Sequence, residues 1–302
     1  MNSPLGVGLS VGSSVIAGLL YYLSAQLHPL SGTEMFGWRV PLALPFVTAF
    51  MVASGDWAHV GVIVGRLRRR PTLLLGLCLS SALLGVQLWL FVWAPINGRG
   101  LSVSIGYFLL PLTLLMVGRL LYRERLSALQ AAAALSAAAG VVHEVWSSGG
   151  VSWPTAVVAL GFPAYFALRR ALGINTLGGL WFDMLLMLPA ALFFVLAQGG
   201  VVAPLRAAPR LFALLPLLGF LSAAAFMTYV LASRLLPFTL FGLLSYVEPI
   251  LLFVVSLVLG ETVRTADLLT YVPIMVAVAI LGVDGLRRLL VGRPVPDEPG
   301  RP

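Results

Sequence analysis

Charged side chains are scarce in this sequence of 302 residues. They make up 10% of the chain, whereas a typical soluble domain carries about 25%. Hydrophobic residues make up 60%, and the mean hydropathy is +1.00. This composition excludes a soluble globular protein and predicts an all-α integral membrane protein whose partner is the lipid bilayer.

Residues that hold metals or carry out catalysis are also few. The single cysteine, Cys78, excludes an intrachain disulfide and a cysteine-based metal site. In HEVWS at 143–147, Ser147 stands where a zinc-protease motif needs its second histidine. A Walker A motif is missing, and Asp183 is the only aspartate well inside an apolar segment, whereas an intramembrane aspartyl protease needs two. We therefore predict no enzymatic activity, no bound metal and no cofactor.

Lysine is absent, so all 19 basic residues are arginines, and the formal net charge is +8. The arginines form short clusters between apolar segments, without the basic face and interleaved aromatics of a nucleic-acid reader, so we predict no nucleic-acid partner. An N-terminus in the cytoplasm places fourteen arginines inside and four outside, with Arg39 within a span. The positive-inside rule thus predicts a multi-pass protein of the cell (plasma or inner) membrane with both termini cytoplasmic.

Apolar segments long enough to cross a bilayer, which needs about 20 residues, occur ten times. Ser31 and Glu34 have the spacing of a capping box, which predicts a helix start at the second segment. The arginine-rich stretch GRLRRRP at 65–71 is expected to be a loop. The predicted spans are 4–27, 33–54, 72–96, 101–121, 127–147, 151–169, 176–198, 208–233, 237–260 and 266–287.

The chain contains an internal repeat. GYFLLPLTLLMVGRLLYRERL at 106–126 and LSYVEPILLFVVSLVLGETV at 244–263 share an aromatic residue, a proline a few residues later and a glutamate near the end. These segments cover spans four and nine, so we predict two five-helix repeats, 1–147 and 148–290, and a disordered cytoplasmic tail, 291–302. An odd number of spans inverts the second repeat, and ten helices in two inverted repeats are typical of secondary transporters.

Four stretches resemble a known family. WAPINGRGLSVSIGYFLLPLTLLMVGRLLYRERL, EMFGWR, RRALGINTLGGLWFDMLLMLP and LPFTLFGLLSYVEPILLFVVSLVLGE are similar to the signatures of RarD-type permeases, in the EamA-like branch of the drug/metabolite transporter superfamily. The resemblance covers nearly the whole chain in order and spacing. It implies ten helices, of which spans one to four and six to nine enclose the pathway while five and ten are peripheral. It also implies a permease, with a drug as one kind of substrate.

The sequence departs from the RarD pattern at several polar positions, while Glu248 and Pro249 look more like the Glu-Pro pair of other EamA proteins. The departures are Ile96, with Asn97 next to it, in place of the usual asparagine; Ser102 in place of a glutamate; Leu110 in place of an asparagine; and Asp183 in place of a glutamate.

Glu248 is the most unusual residue of the ninth span. It lies halfway along 237–260, near the bilayer midplane, where insertion of a charged acid costs about 3 kcal/mol. It should therefore face a cavity, be paired or be protonated. Pro249 and Pro111 each remove a backbone hydrogen bond, so we predict helix breaks there. With the hydroxyls of Tyr107 and Tyr246, these breaks would form a polar site at mid-depth.

Other residues are candidates for solute binding or coupling, and each has a structural alternative. Arg39 could pair structurally or extend its charge to the membrane surface. Asp183 could bond the end of a neighbouring helix. Trp89 and Trp93, four residues apart, could stack on a solute or only pack, and Asn97 completes the candidate set.

We interpret the chain as a secondary active transporter of a small organic solute, a metabolite or drug, that works by alternating access. A non-transporting membrane receptor or assembly subunit is one alternative, and a lipid-carrier flippase is another. Burial favours the protonated form of a carboxyl group, and a guanidinium nearby favours the ionised form. We therefore hypothesise that Glu248 couples transport to protons as Arg39 approaches and withdraws, with Asp183 as the reserve candidate.

Overall fold

The computed structural model describes residues 4–122, 127–148, 151–197, 205–206, 208–236, 240–241 and 244–291, and these residues form helices and no β-strand. The predicted all-α class is thus confirmed. The helices are α1 (Pro4–Gln26), α2 (Gly32–Ala53), α3 (Ala58–Arg69), α4 (Leu73–Trp93), α5 (Gly100–Tyr122), α6 (Ala128–Ser148), α7 (Trp153–Leu172), α8 (Leu177–Ala197), α9 (Leu211–Leu235), α10 (Val247–Val258) and α11 (Leu268–Val291), with short 3-10 turns at Pro95–Asn97 and Thr265–Asp267.

Eight of the described helices are long and apolar enough to cross a membrane, namely α1, α2, α4, α5, α6, α8, α9 and α11. Two of the ten predicted spans do not reach that standard. α7 carries Arg169 and Arg170 in its last turn, and these charges lower its mean hydropathy. α10 has 12 residues, and part of the segment before it lies outside the described residues.

The expected loop at 65–71 is wrong over most of its length, because α3 continues to Arg69. Val60 and Ile63 are buried on one side of this helix, while arginines occupy the other side near its end. Alternating apolar and basic residues at helical spacing form an amphipathic helix, although the stretch is too short and too charged to cross a membrane. Pro71 follows shortly after the helix ends.

The capping box at the start of α2 is confirmed. The backbone N–H of Glu34 donates to Ser31 Oγ at 3.2 Å, and the backbone N–H of Ser31 donates to the Glu34 carboxylate at 2.8 Å. Two unpaired donors of the first helical turn are thereby satisfied, which fixes where the second span begins.

The two predicted helix breaks have different outcomes. α5 runs through Pro111 without interruption, so the break expected there is absent. A proline removes one backbone bond, and the turns on either side can hold a helix together when neighbouring helices pack against it. In the ninth span, Ser245 and Tyr246 form a turn and α10 begins at Val247. Glu248 therefore lies in the first turn of a helix rather than in the middle of one.

Eight helices form a closed ring of contacts. In order around it, α1 contacts α9, α9 contacts α2, α2 contacts α8, α8 contacts α4, α4 contacts α7, α7 contacts α5, α5 contacts α10, and α10 returns to α1. α6 and α11 pack against each other beside the ring. The eight helices of the ring correspond to spans one to four and six to nine, and that they enclose a pathway stays a prediction. We call the end of the ring at which α3 lies the α3 end.

Candidate functional site

Arg39 is buried inside the ring, with 5% of its surface exposed. Its Nε donates to Ser222 Oγ at 3.0 Å, and its Nη1 donates to the carbonyl of Leu88 at 3.2 Å. Its guanidinium carbon lies 5.2 Å from the centre of the Phe91 ring. All three partners are neutral, and no described residue accepts a hydrogen bond from Nη2. The positive charge of Arg39 is therefore held in place but not neutralised by direct contact.

A close helix contact brings Ser222 to Arg39. α9 crosses α2 at Gly219, where a Cβ would lie 2.5 Å from the Cβ of Leu42, too close for any side chain. Ser222 stands one turn beyond Gly219 and Arg39 one turn before Leu42. Ser222 Oγ also donates to the carbonyl of Leu218 at 2.7 Å, which leaves its lone pairs free to accept from Arg39.

Glu248 is partly accessible and lies at the N-terminal end of α10, where the helix dipole favours a negative charge. Its carboxylate has no hydrogen bond or ion pair with a described residue. It is nevertheless within electrostatic range of Arg39, Tyr107 and Tyr229. The structure therefore brings together an acid and a base inside the ring without joining them in a salt bridge.

Two tyrosines stand near this acid. Tyr107 on α5 packs against Phe91, with ring centres 6.3 Å apart, and against Phe162, at 5.6 Å. Tyr229 on α9 has 40% of its surface exposed, although it lies near Glu248. Glu248, Tyr107 and Tyr229 are all at least partly accessible, and we call the space beside them the accessible space. Sequence reasoning missed Tyr229, although it is the only tyrosine of α9.

The packing around α5 loosens towards the α3 end. Among residues 100–109 in the first part of α5, all except Ser102 and Tyr107 are buried. Among residues 111–120, only Leu112 and Gly118 are buried. This half of α5 therefore has fewer packing neighbours than the first half. Towards the opposite end the ring is tightly packed, with fully buried side chains at Tyr21, Leu27, Met35, Leu90, Val92 and Val103.

Tyr246 precedes Glu248 by two residues but does not join this group. Its side chain is buried, and it has no hydrogen bond or ring contact with a described residue of the group.

The predicted aromatic pair lies at the end opposite α3. The rings of Trp89 and Trp93 are 5.4 Å apart, and Trp153 of α7 joins them at 6.2 and 5.1 Å. Trp89 also borders a separate cavity of about 530 Å³ between α2, α4 and α8. Asn97 is exposed and donates to the carbonyl of Trp93 at 2.8 Å, so it caps the end of α4. The structure does not bring these residues to Glu248.

Asp183 is fully buried and belongs to a different cluster. Its Oδ2 lies 2.6 Å from Arg169 Nη1 and accepts a hydrogen bond from the Tyr165 hydroxyl at 3.0 Å. Arg169 Nη2 also donates to the carbonyls of Ile174, at 2.9 Å, and Thr176, at 2.7 Å. The ion pair therefore fastens the connection between α7 and α8, as the structural alternative for Asp183 anticipated.

Within the described ranges, no group of three or more histidine, cysteine, aspartate or glutamate residues could hold a metal ion. What the central group can do is bind polar solute groups and exchange protons, because it combines a carboxylate, a guanidinium and two phenol hydroxyls beside an accessible space.

Comparisons with known proteins identify similar chains along nearly the full length. The chain is 45% identical over 285 residues to the chloramphenicol-sensitive protein RarD of Pseudomonas aeruginosa, which covers 94% of this chain and 95% of the relative. It is 40% identical to an uncharacterized transporter of Pasteurella multocida over 94% of this chain and 97% of that one. It is 24% identical to the protein RarD of Escherichia coli over 93% and 95%.

No family model matches the chain. One protein crystal structure aligns with it at a TM-score of 0.58, covering 95% of this chain and 98% of that chain at 17% identity. A likeness at that level of identity supports the fold and carries no functional information.

Proposed function

The chain belongs to the family of RarD-type permeases, and from this membership we propose that it is a secondary active transporter of a small organic solute. The observation that carries the proposal is the unpaired carboxylate of Glu248, which faces the accessible space within electrostatic range of the buried Arg39. An ionisable residue inside a membrane domain is costly and commonly marks a solute or ion pathway.

Alternating access requires two units that move against each other, and the ring supports two inverted halves. Exchange of each helix for the one five spans later or earlier keeps the ring of contacts unchanged: six contacts replace one another in pairs, and the contacts of α2 with α8 and of α5 with α10 map onto themselves. The exchanged helices are α1 with α7, α2 with α8, α4 with α9, α5 with α10 and α6 with α11. The contact of α1 with α9, for example, becomes that of α7 with α4. We propose that residues 1–147 and 148–290 rock against each other around the central group.

Coupling to protons follows from the separation of the two charges. Arg39 is fixed on α2 in the first half, and Glu248 lies on α10 in the second half. Movement of the halves would change the distance between guanidinium and carboxylate, and thereby the tendency of Glu248 to hold a proton. An opening towards the α3 end, where α5 is least buried, would give the proton a route to that side.

The solute is the first unknown to resolve. The name of the Pseudomonas aeruginosa relative refers to chloramphenicol sensitivity, so chloramphenicol is the first compound to test. Cells with and without the chain would be compared for accumulation of labelled chloramphenicol and, without prior selection, for metabolites inside and outside. We expect at least one small organic solute to change its distribution. Unchanged distributions with the protein present at normal level would instead favour a receptor or assembly subunit.

We also propose that the α3 end faces the cytoplasm, since it carries Arg66, Arg68, Arg69, Arg70 and Arg234. A reporter enzyme that is active only outside the cytoplasm should be inactive when inserted after Arg70 and active when inserted after Asn97. The reverse pattern of activities would overturn the orientation.

A further inference from the structure

The three arginines of α3 and Arg70, which follows the helix, fall into two sets. Arg66 turns towards the ring, where its Nη1 donates to the carbonyl of Gly173 at 2.7 Å and its Nη2 to the carbonyl of Leu172 at 2.7 Å. These carbonyls end α7, so the guanidinium complements the negative end of that helix dipole. Arg66 therefore has a structural role between α3 and α7.

The other set has no such role. Arg68, Arg69 and Arg70 are exposed, and no guanidinium of the three has a hydrogen bond or ion pair with a described residue. We call these three residues the arginine patch. Three adjacent guanidinium groups repel one another unless an anion lies between them, because like charges at short range cost free energy.

The described acids at the α3 end are already engaged. Burial would raise the pKa of Asp56, but hydrogen bonds from Ser54 and Arg234 outweigh it and hold that pKa below its usual value, so Asp56 is ionised and paired. Asp183 is paired with Arg169. Asp284 accepts a hydrogen bond from Ser127 at 3.3 Å. Within the part of the chain that the structure describes, no carboxylate is positioned to neutralise the arginine patch.

The position of the arginine patch is that of lipid headgroups. α4 begins three residues after Arg70, and Leu74 and Leu75, in its first turn, have 46% and 74% of their surfaces exposed. Exposed leucines in a membrane-crossing helix face the acyl chains. The arginine patch precedes them by about one turn, at the depth where phosphate groups lie, and Val62 on α3 is also exposed at 61%.

We propose that the arginine patch binds the headgroups of anionic phospholipids in the leaflet around the α3 end. Guanidinium groups form bidentate hydrogen bonds with phosphate oxygens, and an anionic membrane surface attracts adjacent basic residues. The inference concerns a surface outside the solute pathway and does not depend on which solute is transported.

Cys78 offers a direct test, because it is exposed and is the only cysteine. It lies about 8 Å along α4 from the start of that helix. A fluorophore on Cys78 of the full-length protein in an uncharged detergent would be titrated with phosphatidylglycerol carrying a nitroxide quencher on an acyl chain. A parallel titration would use the same quencher on zwitterionic phosphatidylcholine.

We expect phosphatidylglycerol to quench at lower concentration than phosphatidylcholine. Each arginine near an anionic surface contributes about five-fold, so the preference should reach about 100-fold at low salt and shrink at high salt. The variant Arg68→Gln, Arg69→Gln, Arg70→Gln should lose the preference, whereas three lysines at the same positions should retain most of it. Arg66→Gln should be less stable yet keep the preference.

Three results would overturn the proposal. Wild-type protein could show no preference for phosphatidylglycerol, or the triple glutamine variant could keep the full preference. Millimolar inorganic phosphate could also abolish the preference, which would mean that the arginine patch is a general anion site rather than a lipid surface. Thermal unfolding of each variant would be recorded, so that loss of binding is not confused with loss of fold.

Discussion

Replacement of Glu248 by glutamine is expected to abolish transport that a pH gradient drives, while solute exchange without a gradient continues. Glutamine keeps the volume of the side chain but cannot release a proton. Because the carboxylate has no hydrogen bond or ion pair with a described residue, the substitution removes no structural contact found there. Initial transport rates in vesicles that contain the purified protein, with and without an imposed gradient, would measure the effect.

Two other substitutions make this result specific. Glu144 lies on α6, beside the ring and away from the central group, so Glu144→Gln should transport with the pH dependence of the wild type. Asp183→Asn tests the reserve candidate. If Glu248→Gln transports with an unaltered pH dependence, the carboxylate is structural and proton coupling at Glu248 is wrong. If only Asp183→Asn abolishes the dependence, the coupling residue lies in the α7–α8 cluster.

Substitution of Arg169 by alanine is expected to cause the largest loss of stability. It would leave the fully buried Asp183 without its cation and remove the bonds to the carbonyls of Ile174 and Thr176. Removal of one partner from a buried ion pair costs about 3–5 kcal/mol. The free energy of unfolding in detergent micelles, measured by denaturant titration, would show the loss.

Neighbouring variants separate the ion pair from the other bonds. Arg170 is exposed beside Arg169, so Arg170→Ala serves as the matched control and should cost less than Arg169→Ala, because no buried charge is left behind. Tyr165→Phe removes one hydrogen bond to Asp183 and should cost about 0.5–1.5 kcal/mol. In the double variant Arg169→Ala, Asp183→Ala, the loss of unfolding free energy should be well below the sum of the losses in the two single variants, since the two charges act together. Additive losses would contradict direct coupling between them.

Much of the fold could be predicted from the sequence, because long apolar runs in a membrane have few alternatives to the helix. Most predicted spans agree with the observed helices to within a few residues, and the capping box of Ser31 and Glu34 fixed one start correctly. The prediction also selected Arg39 and Glu248, because charges in apolar runs are conspicuous. The structure brings them within electrostatic range of each other.

The remainder depends on contacts between distant segments. The sequence alone does not place Ser222 or Tyr229 beside Arg39 and Glu248, because those neighbours follow from the close crossing of α9 and α2 at Gly219. The sequence analysis predicts a loop where α3 ends, because a run of arginines is typical of a loop. The helix becomes evident only when the apolar residues on its buried side are considered as well. The separate location of Trp89 and Trp93 likewise follows from the packing of α4 against α7.

Side-specific labelling of Tyr229→Cys tests alternating access around Glu248 most directly. Cys78 would first be replaced by serine, and Leu90→Cys, in the tightly packed part of the ring, would serve as the buried control. A small charged thiol reagent should reach the cysteine at 229 rapidly from the α3 side, and slowly from the opposite side through the minor population that opens there. Failure to react from either side, with the variant folded, would contradict an accessible space at Glu248.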